Sequence, residues 1–161
     1  MQSVPFSIVH FDLVEDRIRV TDTSELFEKI EKLAGSLRPL HTQGALSRDL
    51  QTEYERGGVP LGNGAALLAT RTDALEEKLV GFIRLSMPQD LGAADKIPCD
   101  LIGFVLSPED DGPLHLRRLA RVARLLSQKD VAEKLRQAEN ADVLQILLSA
   151  QEDLFDLRKA A

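Results

Sequence analysis

Few side chains in this sequence of 161 residues can support nucleophilic, acid–base or metal chemistry. The histidines are His10, His41 and His115, and the one cysteine is Cys99. His10 and His41 lack Cys, Asp or Glu neighbours at the spacing of a metal-ligand motif, so we expect neither a metal nor another cofactor. His115 stands near the start of a predicted helix, where it is either a capping or surface residue or part of a binding site.

The predicted helix that begins near Pro113 concentrates positive charge. Its arginines have no acidic residue among them, although the whole chain has a net charge of −6. Two interpretations remain open: a solvated face balanced by acids elsewhere, or an electropositive surface that binds an acidic or phosphorylated partner protein. The expected apolar face comprises Leu116, Leu119, Ala120, Ala123 and Leu126. The expected partner-binding residues are Arg117, Arg118, Arg121 and Arg124.

The hydrophobic pattern predicts the elements that must position these residues. Alternation over 12–20 indicates a short strand, and Asp22 caps a helix that ends near Gly35 and Pro39. A second helix lies between residues 43 and 56, and a turn follows over 57–64. Apolar runs over 64–70, 79–85 and 100–106 predict strands covered on both faces. The last third is helical, with Asn140 capping a helix. Residues 151–161 form a helical tail that either extends this helix or frays.

Composition favours one globular domain with an aliphatic core. The chain is 43% hydrophobic, 29% charged and 4% aromatic, and its length suits a single domain over 1–161. The net charge of −6 argues against nucleic acid as a partner. We see no secretory signal and no apolar run of the roughly 20 residues that span a membrane. The lone Cys99 excludes an internal disulfide, so we expect a cytoplasmic protein without membrane insertion. The oligomeric state stays open.

The segment GNGAALLATR resembles the G-x-G-I-A-I-P-H-G-K segment of fructose, mannitol and nitrogen-type IIA domains of the bacterial phosphotransferase system. Further matches follow in order: Pro98, Asp100 and Leu101 fit the P-V-D-L of these domains, and LHL and LRQAENADVLQIL fit their closing motifs. The resemblance covers about residues 12–150. It implies an α/β fold in which a mixed sheet of about five strands lies between helices.

The same resemblance implies an altered phosphorylation site. Family members accept a phosphoryl group on the histidine of P-H, and Leu68 and Ala69 stand at these two positions. The Ser-Thr pair of the family, which helps to hold the phosphoryl group, is replaced by Gly58 and Val59. Glu53 and Tyr54 stand at the Arg-Glu pair, unless a gap in the match shifts Arg56 to the arginine position. His115 matches the second histidine of the family. The residues of this vestigial site are therefore Leu68, Ala69, Gly58, Val59 and His115.

The resemblance implies two functions between which the sequence leaves a choice. In the first, the chain is a regulatory protein of the nitrogen type that binds a transporter, a kinase or other phosphotransferase components but has lost the phosphorylatable histidine. In the second, it is a working phosphocarrier that accepts phosphate on another residue such as His115. The family performs phosphoryl transfer, but Ala69 offers no nucleophile, so the sequence leaves enzymatic activity undecided.

Overall fold

The computed structural model describes residues 10–149, so the helical tail predicted over 151–161 lies outside the described residues. The elements follow the predicted order, with one strand more than the hydrophobic pattern indicated. The strands are β1 (Leu13–Ile18), β2 (Pro60–Gly62), β3 (Ala65–Thr72), β4 (Leu79–Gln89) and β5 (Cys99–Pro108). The helices are α1 (Thr23–Leu37), α2 (Ala45–Glu55), α3 (Pro113–Leu126), α4 (Lys129–Gln137) and α5 over 141–149.

The strands form one mixed sheet in the order β1-β4-β5-β3-β2, which confirms the predicted fold class. β1 runs parallel to β4 and β3 parallel to β5, whereas the other neighbours are antiparallel. One apolar core lies between the sheet and α1 with α2, and a second lies between the sheet and α3, α4 and α5. Helices on both faces explain why the central strands are almost continuously apolar.

Two helices begin at the caps that the sequence predicted. The Asp22 carboxylate accepts from the Glu25 amide at 2.8 Å, and the Glu25 carboxylate accepts from the Thr21 amide at 2.8 Å. Such reciprocal bonds satisfy amides that the first turn of a helix leaves unpaired. Asn140 caps α5 through the Val143 amide at 3.0 Å. The starts of α1 and α5 therefore follow from local side-chain chemistry.

Strand β2 is the element that the hydrophobic pattern missed, because the segment 57–64 was assigned to a turn. Its three residues pair with β3 across a turn in which Asn63 has a φ of 57° and Gly62 and Gly64 have φ values of 95° and 78°. Within this segment the turn is confirmed at residues 63 and 64. Arg136 of α4 donates to the Asn63 carbonyl at 2.7 Å. This bond ties the turn to the helix layer formed by α3, α4 and α5.

Helix α3 lies close against β5 because Gly103 has no side chain. A Cβ atom at Gly103 would come within 2.6 Å of Leu126 Cδ1 and 3.2 Å of Val122 Cγ1. Real Cβ atoms do not approach other atoms so closely, so a larger residue here would displace these side chains of α3 or the helix itself. This contact fixes the position of the helix that carries His115 and the arginines.

The predicted apolar face of α3 was partly wrong. Leu126 is buried and Leu119 and Ala123 pack at the edge of the core, but Leu116 is 59% exposed and Ala120 is exposed. The buried residues of the helix are His115, Val122, Leu125 and Leu126. The helix is rotated from its expected orientation, because polar contacts on the inner side hold His115 and Arg118 toward the sheet.

Candidate functional site

A cleft of about 640 Å³ lies at the carboxyl end of β3, between the end of α2, the loop 57–59 and the first turn of α3. Its volume falls within the range of small-ligand pockets. The carboxyl ends of parallel strands are a common position for binding sites in α/β proteins. All the residues that the sequence analysis assigned to a vestigial site line this cleft: Gly58, Val59, Leu68, Ala69 and His115.

Residues 67–71 at the end of β3 line the cleft, and the alternation of the strand decides which helix layer each side chain faces. Leu67 and Ala69 pack on the core next to α3, whereas Leu68 is buried in the core next to α1 and α2. Residues two apart on a strand share a face, so Arg71 lies on the same face as Ala69. Ala69 is only partly buried. A methyl group therefore stands at the wall of the cleft, and an exposed arginine stands beside it.

The loop that borders the cleft presents bare backbone. Gly57 and Gly58 have φ values of 88° and 81°, in the left-handed region that favours glycine. A Cβ atom built on either residue would have no heavy atom within 4 Å, so open space adjoins both. The site thus has room beside its backbone where a side chain would otherwise stand.

His115 is buried, which excludes the interpretation as a surface residue. Its Nδ1 lies 2.7 Å from Ser107 Oγ, and Arg118 Nη1 donates to the same hydroxyl oxygen at 3.1 Å. A guanidinium can only donate, so Ser107 accepts from Arg118. The hydroxyl can also donate to Nδ1 or accept from it, so the contact is compatible with either tautomer of the neutral ring. Ser107 and Arg118 thereby hold His115 in the wall of the cleft.

Burial lowers the pKa of His115 below its ordinary value, and the positive charges of Arg71 and Arg118 lower it further, while Asp111 acts in the opposite direction. Arg118 itself is paired with Asp111. The imidazole is therefore neutral near pH 7 and serves as a hydrogen-bonding group in the absence of an added negative charge. An anion in the cleft would favour its protonation.

This lowered pKa predicts how stability depends on pH. Because the unfolded chain binds the proton of His115 more readily than the folded chain does, stability is lost as the pH falls below about 6.5, the ordinary histidine value. His115→Gln keeps a polar group but removes the titration. We expect the free energy of unfolding to fall less between pH 7.5 and pH 5.5 in this variant than in the native chain, as measured by urea unfolding. An equal fall in both proteins would contradict the assignment.

The four predicted partner-binding arginines do not form one surface. Arg118 is turned inward to Ser107 and Asp111, with 17% of its side chain exposed, so its assignment to the solvent face was wrong. Arg117 and Arg124 are exposed, and Arg121 is half-buried. None of these arginines lines the cleft. We call Arg117, Arg121 and Arg124 the arginine face; it adjoins the cleft through the first turn of α3.

The sequence analysis missed several polar residues of the cleft. Arg71 and Thr70 follow Ala69 on β3, and Asp49 comes from α2. Asp49 accepts a hydrogen bond from the Thr72 hydroxyl at 2.7 Å, which ties α2 to the end of β3. The two-residue spacing from Ala69 on a strand could have indicated Arg71. No local signal could have indicated Asp49.

Metal binding and membrane insertion receive no positive support from residues 10–149. Among these residues, His, Cys, Asp and Glu side chains form no cluster that could hold a metal ion. None of the described helices has the length and apolar character needed to cross a membrane. Burial raises the pKa of the Cys99 thiol to about 11, which leaves it protonated and unreactive at neutral pH.

The fold and the cleft define a class of protein: a three-layer α/β domain with a polar cleft where the parallel strands β3 and β5 end. The chain belongs to the family described as phosphoenolpyruvate-dependent sugar phosphotransferase system, EIIA 2, whose model matches residues 7–150. The resemblance seen in the sequence is thus confirmed.

Individual relatives agree with this family. A nitrogen regulatory protein of Bradyrhizobium diazoefficiens is 31% identical over 132 residues, which cover 82% of this chain and 86% of that protein. The crystal structure of the nitrogen regulatory protein IIA-Ntr from Neisseria meningitidis has a TM-score of 0.75 at 27% identity, covering 84% of this chain and 92% of that one. The enzyme IIA of Escherichia coli in complex with phosphorylated enzyme IIB for mannitol has a TM-score of 0.66 at 13% identity, covering 85% of this chain and 94% of that one, which shows the fold alone.

Proposed function

We propose that this chain is a regulatory, protein-binding IIA domain of the nitrogen type that has lost the phosphorylatable histidine. The observation that carries this proposal is Ala69, which stands in the cleft wall at the position that the resemblance assigns to the phosphate acceptor. An alanine methyl has no lone pair and cannot form a phosphoenzyme. The chain would then bind partners without being switched by its own phosphorylation.

The surroundings of Ala69 favour loss of the transfer reaction as well. Phosphoryl transfer needs preorganised donors around the reacting group. Gly58 and Val59, which stand at the Ser-Thr pair of the family, bring no hydroxyl to the cleft, and Glu53 is paired with Arg56 at 3.2 Å. The nucleophile and part of its support are therefore replaced together.

Protein partners are the natural ligands of such a domain. The mannitol enzyme IIA of the same fold forms a complex with phosphorylated enzyme IIB. By analogy, we expect a transporter, a kinase or another phosphotransferase component in the cytoplasm to bind this chain. Its net charge of −6 makes nucleic acid an unsuitable partner.

Labelling with phosphoenolpyruvate tests this proposal. The chain should stay unlabelled when it is incubated with phosphoenolpyruvate, enzyme I and the histidine carrier protein, while an intact nitrogen-type IIA domain in the same mixture becomes labelled. Incorporation of radioactive phosphate is measured at alkaline pH, where phosphohistidine is stable. Stoichiometric label on His115 would instead support the phosphocarrier function. Against that outcome, His115 is buried and its Nδ1 contacts Ser107.

A further inference from the structure

The turn between β2 and β3 carries the one Asn-Gly pair of the sequence. Gly62 pairs with Ala65, so Asn63 and Gly64 form a hairpin loop of two residues. Both have positive φ values, 57° and 78°, as a type I′ turn requires, and Asn-Gly is the pair that such a turn favours. The turn lies at the start of β3, whereas the cleft lies at the end of that strand.

The fold retains this pair although it is chemically labile. Asparagine is the more prone to deamidate when glycine follows, because no side chain shields the backbone nitrogen of the glycine. A Cβ atom at Gly64 would overlap Arg136 Nη2 and come within 3.3 Å of Asp100 Oδ1, so a larger residue does not fit here. Asn63 is partly exposed, so water can reach the turn.

Two side chains hold the backbone of Asn63. Its amide donates to Asp95 Oδ2 at 2.9 Å, and its carbonyl accepts from Arg136 Nη2 at 2.7 Å. Arg136 is itself held by Asp100, which accepts from Nη2 at 2.8 Å and from Nε at 3.2 Å. The Asn63 carbonyl and the Gly64 nitrogen belong to one planar peptide group, so neither can rotate without the other. The bond from Arg136 therefore fixes the orientation of the Gly64 nitrogen.

We propose that Asn63 is a site of spontaneous deamidation and that Arg136 controls its rate. The Gly64 nitrogen attacks Cγ of Asn63, the carboxamide C–N bond breaks, and the amide nitrogen leaves as ammonia with the proton of the Gly64 N–H. Water then adds to one of the two carbonyls of the succinimide ring, returns a proton to the Gly64 nitrogen and yields aspartate or isoaspartate. A type I′ turn holds the peptide group away from Cγ, so ring closure requires a rotation that breaks the bond to Arg136.

The isoaspartate product would disturb more than the turn. It adds one methylene to the backbone and one carboxylate beside Asp95. A hairpin loop of two residues cannot include the extra atom and keep the pairing of Gly62 with Ala65. Strand β2 directly follows Val59, which lines the cleft and whose carbonyl accepts from the Leu67 amide at 2.9 Å. Deamidation would thereby displace one border of the cleft.

Peptide mass spectrometry of the full chain, aged at neutral pH and physiological temperature, measures the conversion of Asn63. We expect slow conversion in the native chain and the fastest conversion in the chain unfolded in guanidinium chloride. Arg136→Gln should convert about five- to tenfold faster than the native chain, which is the effect of losing one hydrogen bond from a partly exposed charged donor. Asn140, which alanine follows, is the internal reference and should stay unmodified over the same period.

Two further variants control for charge and for folding. Arg48→Gln makes the same change of charge on α2, in the other helix layer, and should convert at the native rate. Arg136→Lys keeps the charge beside Asp100 but lacks the fork that reaches Asn63 as well, so it should also convert faster, even if Arg136→Gln fails to fold.

Equal rates in the native chain and in the folded Arg136 variants would overturn the control by Arg136. Absence of conversion at Asn63 in every folded sample would overturn the modification site itself. Both outcomes leave the proposed function intact, because neither involves the residue at position 69 or a partner.

Discussion

Ala69→His should accept a phosphoryl group slowly, whereas we expect the native chain to accept none. The new imidazole would lie on the face of β3 that carries Arg71, in the wall of the cleft that His115 also lines. The new imidazole would supply a nucleophile, with Arg71 and His115 as neighbouring polar groups. Gly58 and Val59 would still offer no hydroxyl, and each missing donor in such sites slows transfer by roughly two to three decades.

The rate of Ala69→His is measured against an intact nitrogen-type IIA domain with phosphoenolpyruvate, enzyme I and the carrier. Ala69→Gln is the matched control, because it adds a polar side chain of similar size without a nucleophilic nitrogen and should stay unlabelled. Transfer as fast as in the intact domain would show that the residues at 58 and 59 do not matter. Absence of any label on Ala69→His would show that this position is not the phosphate-accepting one.

The fold was predictable because its signals are local and redundant. Apolar runs marked β3, β4 and β5, and the Asp22 and Asn140 caps fixed the starts of α1 and α5. Sequence analysis missed strand β2 because it is three residues long, begins with proline and ends with glycine. Such a strand is defined by pairing with β3 and not by its own pattern. The family resemblance, which implies about five strands, supplied what periodicity could not.

The cleft was predictable only through the resemblance, and then only in part. The matched positions at 58, 59, 68, 69 and 115 converge on one cleft although they are far apart in sequence. The contact between Ser107 and His115 joins the end of β5 to the first turn of α3, and no periodic pattern marks such a pair. Contacts with Ser107 and Asp111 hold Arg118 on the inner side of the helix. Helical spacing alone therefore gave a partly wrong face.

The orientation of α3 also changes which arginines can bind a partner. Helical spacing favoured a face with Arg117, Arg118, Arg121 and Arg124. With Arg118 paired to Asp111 and Arg121 half-buried, the exposed charges at the two ends of the face are Arg117 and Arg124. They are seven residues apart and so lie on the same side of the helix. A test of docking should therefore change Arg117 and Arg124 and leave Arg118 and Arg121 unchanged.

Reversing both charges, with Arg117→Glu and Arg124→Glu, should abolish the binding of a partner that docks on the arginine face. Four units of charge change at one surface, and like charges placed opposite each other cost several kcal/mol. Folding should persist, because exposed substitutions change stability by about 0.5 kcal/mol each. The loss of binding is measured by calorimetry or surface plasmon resonance. The ligand is the unphosphorylated carrier or a partner recovered on the native chain.

A charge-matched variant separates this surface from a general effect of added negative charge. Lys32→Glu with Arg48→Glu makes the same change of charge on α1 and α2, which cover the opposite face of the sheet, and should leave binding unchanged. Native binding should weaken with added salt, since exposed charges are screened beyond about 10 Å at 0.1 M. A partner that binds both variants as tightly as the native chain would make Arg117 and Arg124 an ordinary solvated surface, and docking would then have to depend on the cleft alone.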